Sequence, residues 1–136
     1  MPEPRWVERV VVDAVHLDQL REHGGLAGLR DENALESALA RPRQKWHYEK
    51  ATDLPTLAAA YGFGLCKNHP YRDGNKRVAF VVMVTFLELN ELIFDADEAE
   101  VVTVMLALAA GDVSERALGT WLKNHTKKPK RGGAVS

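Results

Sequence analysis

Between Val78 and Leu89 the chain is apolar at every position except Thr85 and Glu88. Any helix drawn through this run has apolar residues on all its faces, so it must be buried on all sides. A helix of that kind cannot stand alone, and the rest of the chain has to wrap it. The run is too short and too close to charged residues to cross a bilayer. Directly before it comes His69-Pro70-Tyr71-Arg72-Asp73-Gly74-Asn75-Lys76-Arg77. The helix, expected over about Asn75 to Asn90, therefore starts in a tight polar loop. A helix N-terminus carries unpaired N–H groups and partial positive charge, which suits a phosphate.

The remaining elements follow from start and stop signals. Residues 1–5 read as a loose end, and Trp6 to Val12 is ambiguous, since its valines favour a strand while the pattern runs on as a helix. Val11, Ala14, Val15, Leu17 and Leu20 fit one buried helical face, stopped by Gly24-Gly25. Asp31 suits an N-cap, and Ala34, Leu35, Ala38 and Leu39 form the stripe of the helix it opens. Pro42 is expected to close that helix, because the residue before a proline avoids helical geometry. Arg43 to Thr52 then reads as a loop or flap holding Trp46, His47 and Tyr48. Asp53 caps a helix over about Leu54 to Lys67, with Pro55 in its first turn and Gly62 and Gly64 allowing close approach. Ile93-Phe94 is a short extended link. Asp95 or Asp97 opens a helix that ends at Gly111, and Ser114 caps a last one carrying Leu118, Trp121 and Leu122. The sum is an all-α, single-domain chain of five or six helices over residues 1–124, with a disordered basic tail over 125–136.

Composition narrows the function. Of 136 residues, 46% are hydrophobic, enough for one core. A formal net charge of −1 argues against nonspecific nucleic-acid binding as the main activity. The lone cysteine, Cys66, excludes an internal disulfide and a cysteine zinc site, and reads as a small buried residue. His47, His69 and Asp73 lack zinc-site spacing. The N-terminus does not read as a signal peptide, and a cytoplasmic location is the default expectation.

Each residue of the loop has a chemical use. His69 can take a proton from a hydroxyl at neutral pH. Asp73 can hold Mg²⁺, which binds a few carboxylates together with phosphate oxygens. Gly74 lets backbone approach a ligand. Gly74, Asn75 and Lys76 offer N–H groups, and Lys76 and Arg77 can neutralise phosphate charge. Phosphoryl transfer asks for this combination of positioning and charge stabilisation. Asn75 could also simply cap the helix. Trp46 and Tyr48 suit either partner contact or ordinary packing.

HPYRDGNKR resembles the signature of the Fic/Doc superfamily, H-P-F-x-D/E-G-N-G-R. Tyr71 replaces phenylalanine, and Lys76 replaces the second glycine. N-K-R at that place is similar to the Doc branch, the death-on-curing toxins, and residues 22–43, EHGGLAGLRDENALESALARPR, resemble its N-terminal helix region. Similarity is expected over residues 8–123.

The resemblance implies a Fic/Doc (Fido) helical fold and a toxin of a type II toxin-antitoxin system. It implies an ATP-dependent protein kinase that moves the γ-phosphate to a Ser/Thr hydroxyl of a translation factor, elongation factor Tu, and so blocks translation. His69 would be the general base and Asp73 the Mg²⁺ ligand. Gly74, Asn75, Lys76 and Arg77 would cradle phosphate, joined by Lys67, and Trp46, His47 and Tyr48 would line the groove for the target. No Ser or Thr starts the inhibitory S/T-x-x-x-E-G/N motif of many relatives, which points to a separate Phd-type antitoxin, with nucleic acid bound only through that complex. Two other readings stand beside this one: a Fic-type AMP transferase, and a non-catalytic antitoxin-binding regulatory module.

Overall fold

The computed structural model describes residues 2–49 and 52–129. Six helices follow one another: α1 Arg9–His23, α2 Glu32–Tyr48, α3 Leu54–Asn68, α4 Asn75–Leu89, α5 Glu98–Ala110 and α6 Glu115–Asn124. Local chemistry sets most of their ends. Asp31, Asp53 and Ser114 each accept a backbone N–H of the first turn, from Ala34, Thr56 and Ala117. Gly111 ends α5 in the left-handed region at φ 87°, and Gly24 ends α1 at φ 75°.

Helices α3 and α4 form the buried pair. Helix α3 packs against α2, α4 and α6, and most of its residues are enclosed. Its two glycines make this possible. A Cβ on Gly62 would lie 2.2 Å from Met83 Sδ, and one on Gly64 would lie 3.3 Å from Ala38 Cα. Val78, Ala79, Val82, Met83, Phe86 and Leu87 of α4 are buried and share one face, whereas Phe80, Val81 and Val84 are half-buried and Leu89 is exposed, so the helix is not enclosed on all sides as its all-round apolar sequence suggests. Burying a large side chain of this kind contributes about 1.5–3 kcal/mol.

Four further expectations are corrected. In α1 the buried residues are Val12 and His16, whereas Val11 and Leu17 are exposed; the inner face is shifted by one position and contains a polar residue. Pro42 does not end α2, which runs on to Tyr48. The inward stripe Leu35, Ala38, Pro42, Trp46 continues at helical spacing through the proline, and packing outweighs the lost N–H. Residues 43–48 are therefore helix rather than flap; Lys50 and Ala51 lie outside the described residues. The N-terminal stretch is not loose. Val7 is buried, the Arg5 backbone exchanges two hydrogen bonds with the Asn90 side chain at 2.9 Å each, and Trp6 stacks on Phe86.

The C-terminal end also holds more order than its composition suggests. Ile93–Phe94 (β1) pairs antiparallel with Thr126–Lys127 (β2), so order continues past His125. Residues 130–136, the rest of the basic tail, lie outside the described residues. Among the described residues no helix is long and apolar enough to cross a membrane.

Candidate active site

The loop 69–74 joins the end of α3 to the start of α4. His69 is the C-cap of α3 and adopts φ 47°, ψ 56°, a left-handed conformation that costs a non-glycine residue about 1–2 kcal/mol. It stays there because its surroundings hold it. Arg30 donates from Nε to the His69 carbonyl at 2.6 Å and from Nη2 to the Asn68 carbonyl at 2.8 Å. These are the carbonyls of the last residue of α3 and of its C-cap, which the helix itself leaves unpaired. The Asn68 side chain is tied in turn to the Ala34 carbonyl of α2 at 3.0 Å.

Asn75 closes the loop from the other side. Its side chain is buried; Oδ1 accepts from the Tyr71 N–H at 3.0 Å and Nδ2 donates to the Tyr71 carbonyl at 3.0 Å. Nδ2 also lies 3.5 Å from His69 Nδ1. The Asn75 side chain is thus a staple of the loop and does not cap α4.

Tyr71 is buried beneath the loop. Its hydroxyl, absent from the phenylalanine of the family pattern, donates to Asp13 Oδ1 at 2.7 Å. Asp13 Oδ2 pairs with Arg9 at 3.0 Å, and Arg9 reaches Glu32 of α2. Burial, and then the neighbouring Asp13, push the Tyr71 hydroxyl pKa well above its ordinary value.

Asp73 faces solvent. Its Oδ2 accepts from the Leu26 N–H at 3.2 Å and its Oδ1 from the Gly74 N–H at 2.9 Å. Those two bonds, in that order, hold its carboxyl below the usual carboxylate range, helped by the charges of Arg77 and Lys76. The segment 24–30 is the element that lies along the loop. It bridges Leu29 to Tyr71, gives its Gly28 carbonyl to the Arg72 N–H at 3.0 Å, and sends the Arg30 N–H to the Pro70 carbonyl at 2.7 Å. A side chain at Gly25 (φ 120°) would put Cβ 2.7 Å from Asp73 Oδ2, so glycine is required for this approach.

Gly74 caps α4 at φ 79°, and the first helical bond runs from the Val78 N–H to its carbonyl. The N–H groups of Asn75, Lys76 and Arg77 precede that bond, the turn that a helix leaves without carbonyl partners. They sit at a cleft of about 170 Å³ lined by His69, Arg72, Asp73, Gly74, Asn75, Lys76 and Arg77. A larger, apolar cavity of about 290 Å³ between α1, α4 and α5 shares Lys76 and Arg77 with this cleft. Phe80, Val101 and Met105 line it.

The structure thus gathers His69, Asp73, Gly74, Asn75, Lys76 and Arg77. It does not gather the others. Lys67 lies over the Phe63 ring at 5.8 Å, near Gly111, and is absent from the cleft wall. Trp46 packs on Trp6, which stacks on Phe86, eleven residues and about 16 Å along α4 from Asn75. Trp46, His47 and Tyr48 therefore stand near the opposite end of α4 from the cleft, and segment 24–30 takes the place beside the loop that they were expected to fill. Burial pushes the Cys66 thiol up, as suits an inert core residue. Arg30, His16 and Asp13 were not found from sequence. Each acts through a contact spanning 38 residues or more, which local patterns do not show.

A divalent ion fits this site in one way. Among the described residues no cluster of three or more potential ligands exists. Asp73 is the one carboxylate of the cleft wall, and each of its oxygens keeps a lone pair beyond the N–H it accepts. That matches Mg²⁺, which takes one or two carboxylates and completes its shell with phosphate oxygens and water.

An imidazole and a carboxylate flanking the exposed first turn of a buried helix define an all-helical domain with an anion-receptive loop-to-helix junction. The chain belongs to the Fic/DOC family, whose profile matches residues 6–87. The all-α Fic/Doc fold inferred from HPYRDGNKR is therefore the one observed. The chain is 31% identical over 111 residues to "Protein kinase doc" of Escherichia phage P1, covering 81% of this chain and 86% of that protein. It is 38% identical over 82 residues to "Toxin Doc" of Mycolicibacterium smegmatis, covering 57% of this chain and 63% of the relative.

Proposed function

We propose that this protein is a toxin that transfers the γ-phosphate of ATP to a Ser or Thr hydroxyl of a translation factor, elongation factor Tu on the family resemblance. The observation that carries this reading is His69, held in a left-handed cap on the wall of the cleft where the first turn of α4 begins. The names of the two relatives, a kinase and a toxin, agree with it. Lys76 at the glycine position of the family pattern favours phosphate over AMP transfer, since its side chain occupies space that glycine leaves open.

In the proposed reaction His69 takes the proton of the target hydroxyl. The hydroxyl oxygen bonds to the γ-phosphorus as the bond to the β–γ bridging oxygen breaks, and ADP leaves. The N–H groups of the α4 first turn, with Lys76 and Arg77, stabilise the charge on the transferring group. Asp73 would hold Mg²⁺, which when bound supplies further neutralisation of phosphate charge. The apolar cavity beside Lys76 and Arg77 is suited to the nucleoside, because it adjoins the cleft and is lined by Phe80, Val101 and Met105. A separate Phd-type antitoxin would restrain the enzyme in the cytoplasm, and any contact with nucleic acid would come through that complex.

Induced expression in a bacterial host tests the proposal. The wild type should arrest growth and His69→Ala should not. Equal arrest by both would point instead to a non-catalytic binding module.

A further inference from the structure

Among the described residues two polar side chains are buried, Asn75 and His16. Asn75 staples the loop. His16, 4% exposed on α1, does not itself line the cleft and has no task in the reaction proposed above. It is nonetheless fixed on two sides. Its ring stacks on Tyr71 with centroids 3.8 Å apart and planes 15° from parallel. Its Nε2 lies 3.1 Å from the backbone carbonyl oxygen of Asp73. A carbonyl oxygen only accepts, so Nε2 carries a proton and donates.

That carbonyl belongs to the peptide between Asp73 and Gly74. In a trans peptide the C=O and N–H point in opposite directions. With its carbonyl held inward by His16, this peptide turns the Gly74 N–H outward, where it meets Asp73 Oδ1 at 2.9 Å. Gly74 does not fix that orientation by itself. It sits at φ 79°, but without a Cβ it takes negative φ about as readily, so the peptide plane is free to turn over. A turned peptide would release Asp73 Oδ1 and aim a carbonyl dipole outward at the start of α4, where an anion would otherwise bind.

We infer that His16 is a positioning residue: its Nε2–H donated to the Asp73 carbonyl locks the Asp73–Gly74 peptide in the orientation that makes the start of α4 receptive to phosphate. His16 of α1 thereby acts on the cleft through the loop, without lining the cleft itself. The Tyr71 hydroxyl bond to Asp13, also on α1, holds the stacked ring in register with His16.

The test compares wild type, His16→Gln and His16→Phe. Glutamine offers an amide N–H at nearly the same reach, whereas phenylalanine keeps the stack and has no donor. The first readout is the Gly74 amide resonance in ¹⁵N-labelled protein, and the second is binding of Mg·ATP by calorimetry. His16→Phe should melt close to the wild type, shift the Gly74 amide, and bind Mg·ATP about tenfold or more weakly, the worth of one hydrogen bond to the loop. His16→Gln should restore both readouts. If His16→Phe does not fold, His16→Asn, whose amide is one bond too short, takes its place. An unmoved Gly74 amide in the donor-free variant, or a His16→Gln protein as impaired as it, would overturn the inference. The binding arm rests on the ATP reading. A wild type that fails to bind Mg·ATP would sink that reading alone, and the Gly74 amide would still decide the role of His16.

Discussion

Arg30 and His69 are joined by a hydrogen bond of 2.6 Å, from the guanidinium Nε to the backbone carbonyl. The side chain of one segment thus fixes the backbone from which the candidate base projects. Removing Arg30 leaves the left-handed His69 cap without its partner and the Asn68 and His69 carbonyls facing water. Because Arg30 is exposed, Arg30→Ala should cost only about 1 kcal/mol of stability. Its effect on phosphate transfer should be larger, since slight misplacement of a reacting group costs up to about a hundredfold in rate. Thermal melting beside a transfer assay checks this, and an active Arg30→Ala protein would show that His69 is placed by other contacts.

Asn75 pairs with both backbone polar groups of Tyr71. Asn75→Ala strands an N–H and a C=O inside the protein, for an expected loss of about 2–4 kcal/mol. Asn75→Asp still accepts from the Tyr71 N–H but, when ionised, cannot donate to its carbonyl, and sets a carboxylate against that oxygen. It should fall short of the wild type as well. Urea unfolding of the two variants measures both losses. A loss below about 0.5 kcal/mol for alanine would mean that water replaces the staple at no cost.

The Asp73 carboxyl is held below its ordinary value by the Leu26 and Gly74 N–H groups. A depressed carboxyl contributes its full stabilisation above the unfolded value, about 3.9, and loses it as pH falls through the folded value. Segment 24–30 should therefore loosen from the loop in acid, below about pH 4. The Leu26 amide resonance should titrate in that range and stop titrating in Asp73→Asn. A Leu26 amide indifferent to acid would show that the contact is not formed in solution.

Gly62 leaves no room for a side chain, since a Cβ there would lie 2.2 Å from Met83 Sδ. Gly62→Ala should cost about 1–3 kcal/mol through overpacking, despite the better helix propensity of alanine. Methionine is flexible, so part of the strain can be relieved at that side chain. Met83→Ala should accordingly cost less in the Gly62→Ala background than in the wild type. Additive costs in the denaturant double-mutant cycle would show that the two positions do not press on each other.

The elements that sequence revealed are those governed by local chemistry. Asp31, Asp53 and Ser114 are caps by virtue of their own side chains, and Gly24 and Gly111 stop helices by tolerating positive φ. The same holds for the loop, because His69, Asp73, Gly74, Lys76 and Arg77 lie together in the chain before they lie together in space. What escaped was governed by distant packing. Pro42 reads as a break until Trp46 is seen to continue the inward stripe against Trp6. The inner face of α1 was misphased because a histidine occupies it, and His16 is buried only because Tyr71 and the Asp73 carbonyl wait for it across 55 or more residues. The two-residue strand at Thr126–Lys127 has no signal of its own and exists through its partner, Ile93–Phe94.

The most direct test of the proposed chemistry is the intact mass of elongation factor Tu after incubation with this protein, ATP and Mg²⁺. The account predicts a gain of about 80 Da, one phosphate, that vanishes with His69→Ala. A gain of about 329 Da would mean AMP transfer and contradict the reading of Lys76. A phosphate gain that survives His69→Ala, or no gain on this or any other protein of the lysate, would contradict the assignment of His69 as the base of a phosphotransferase.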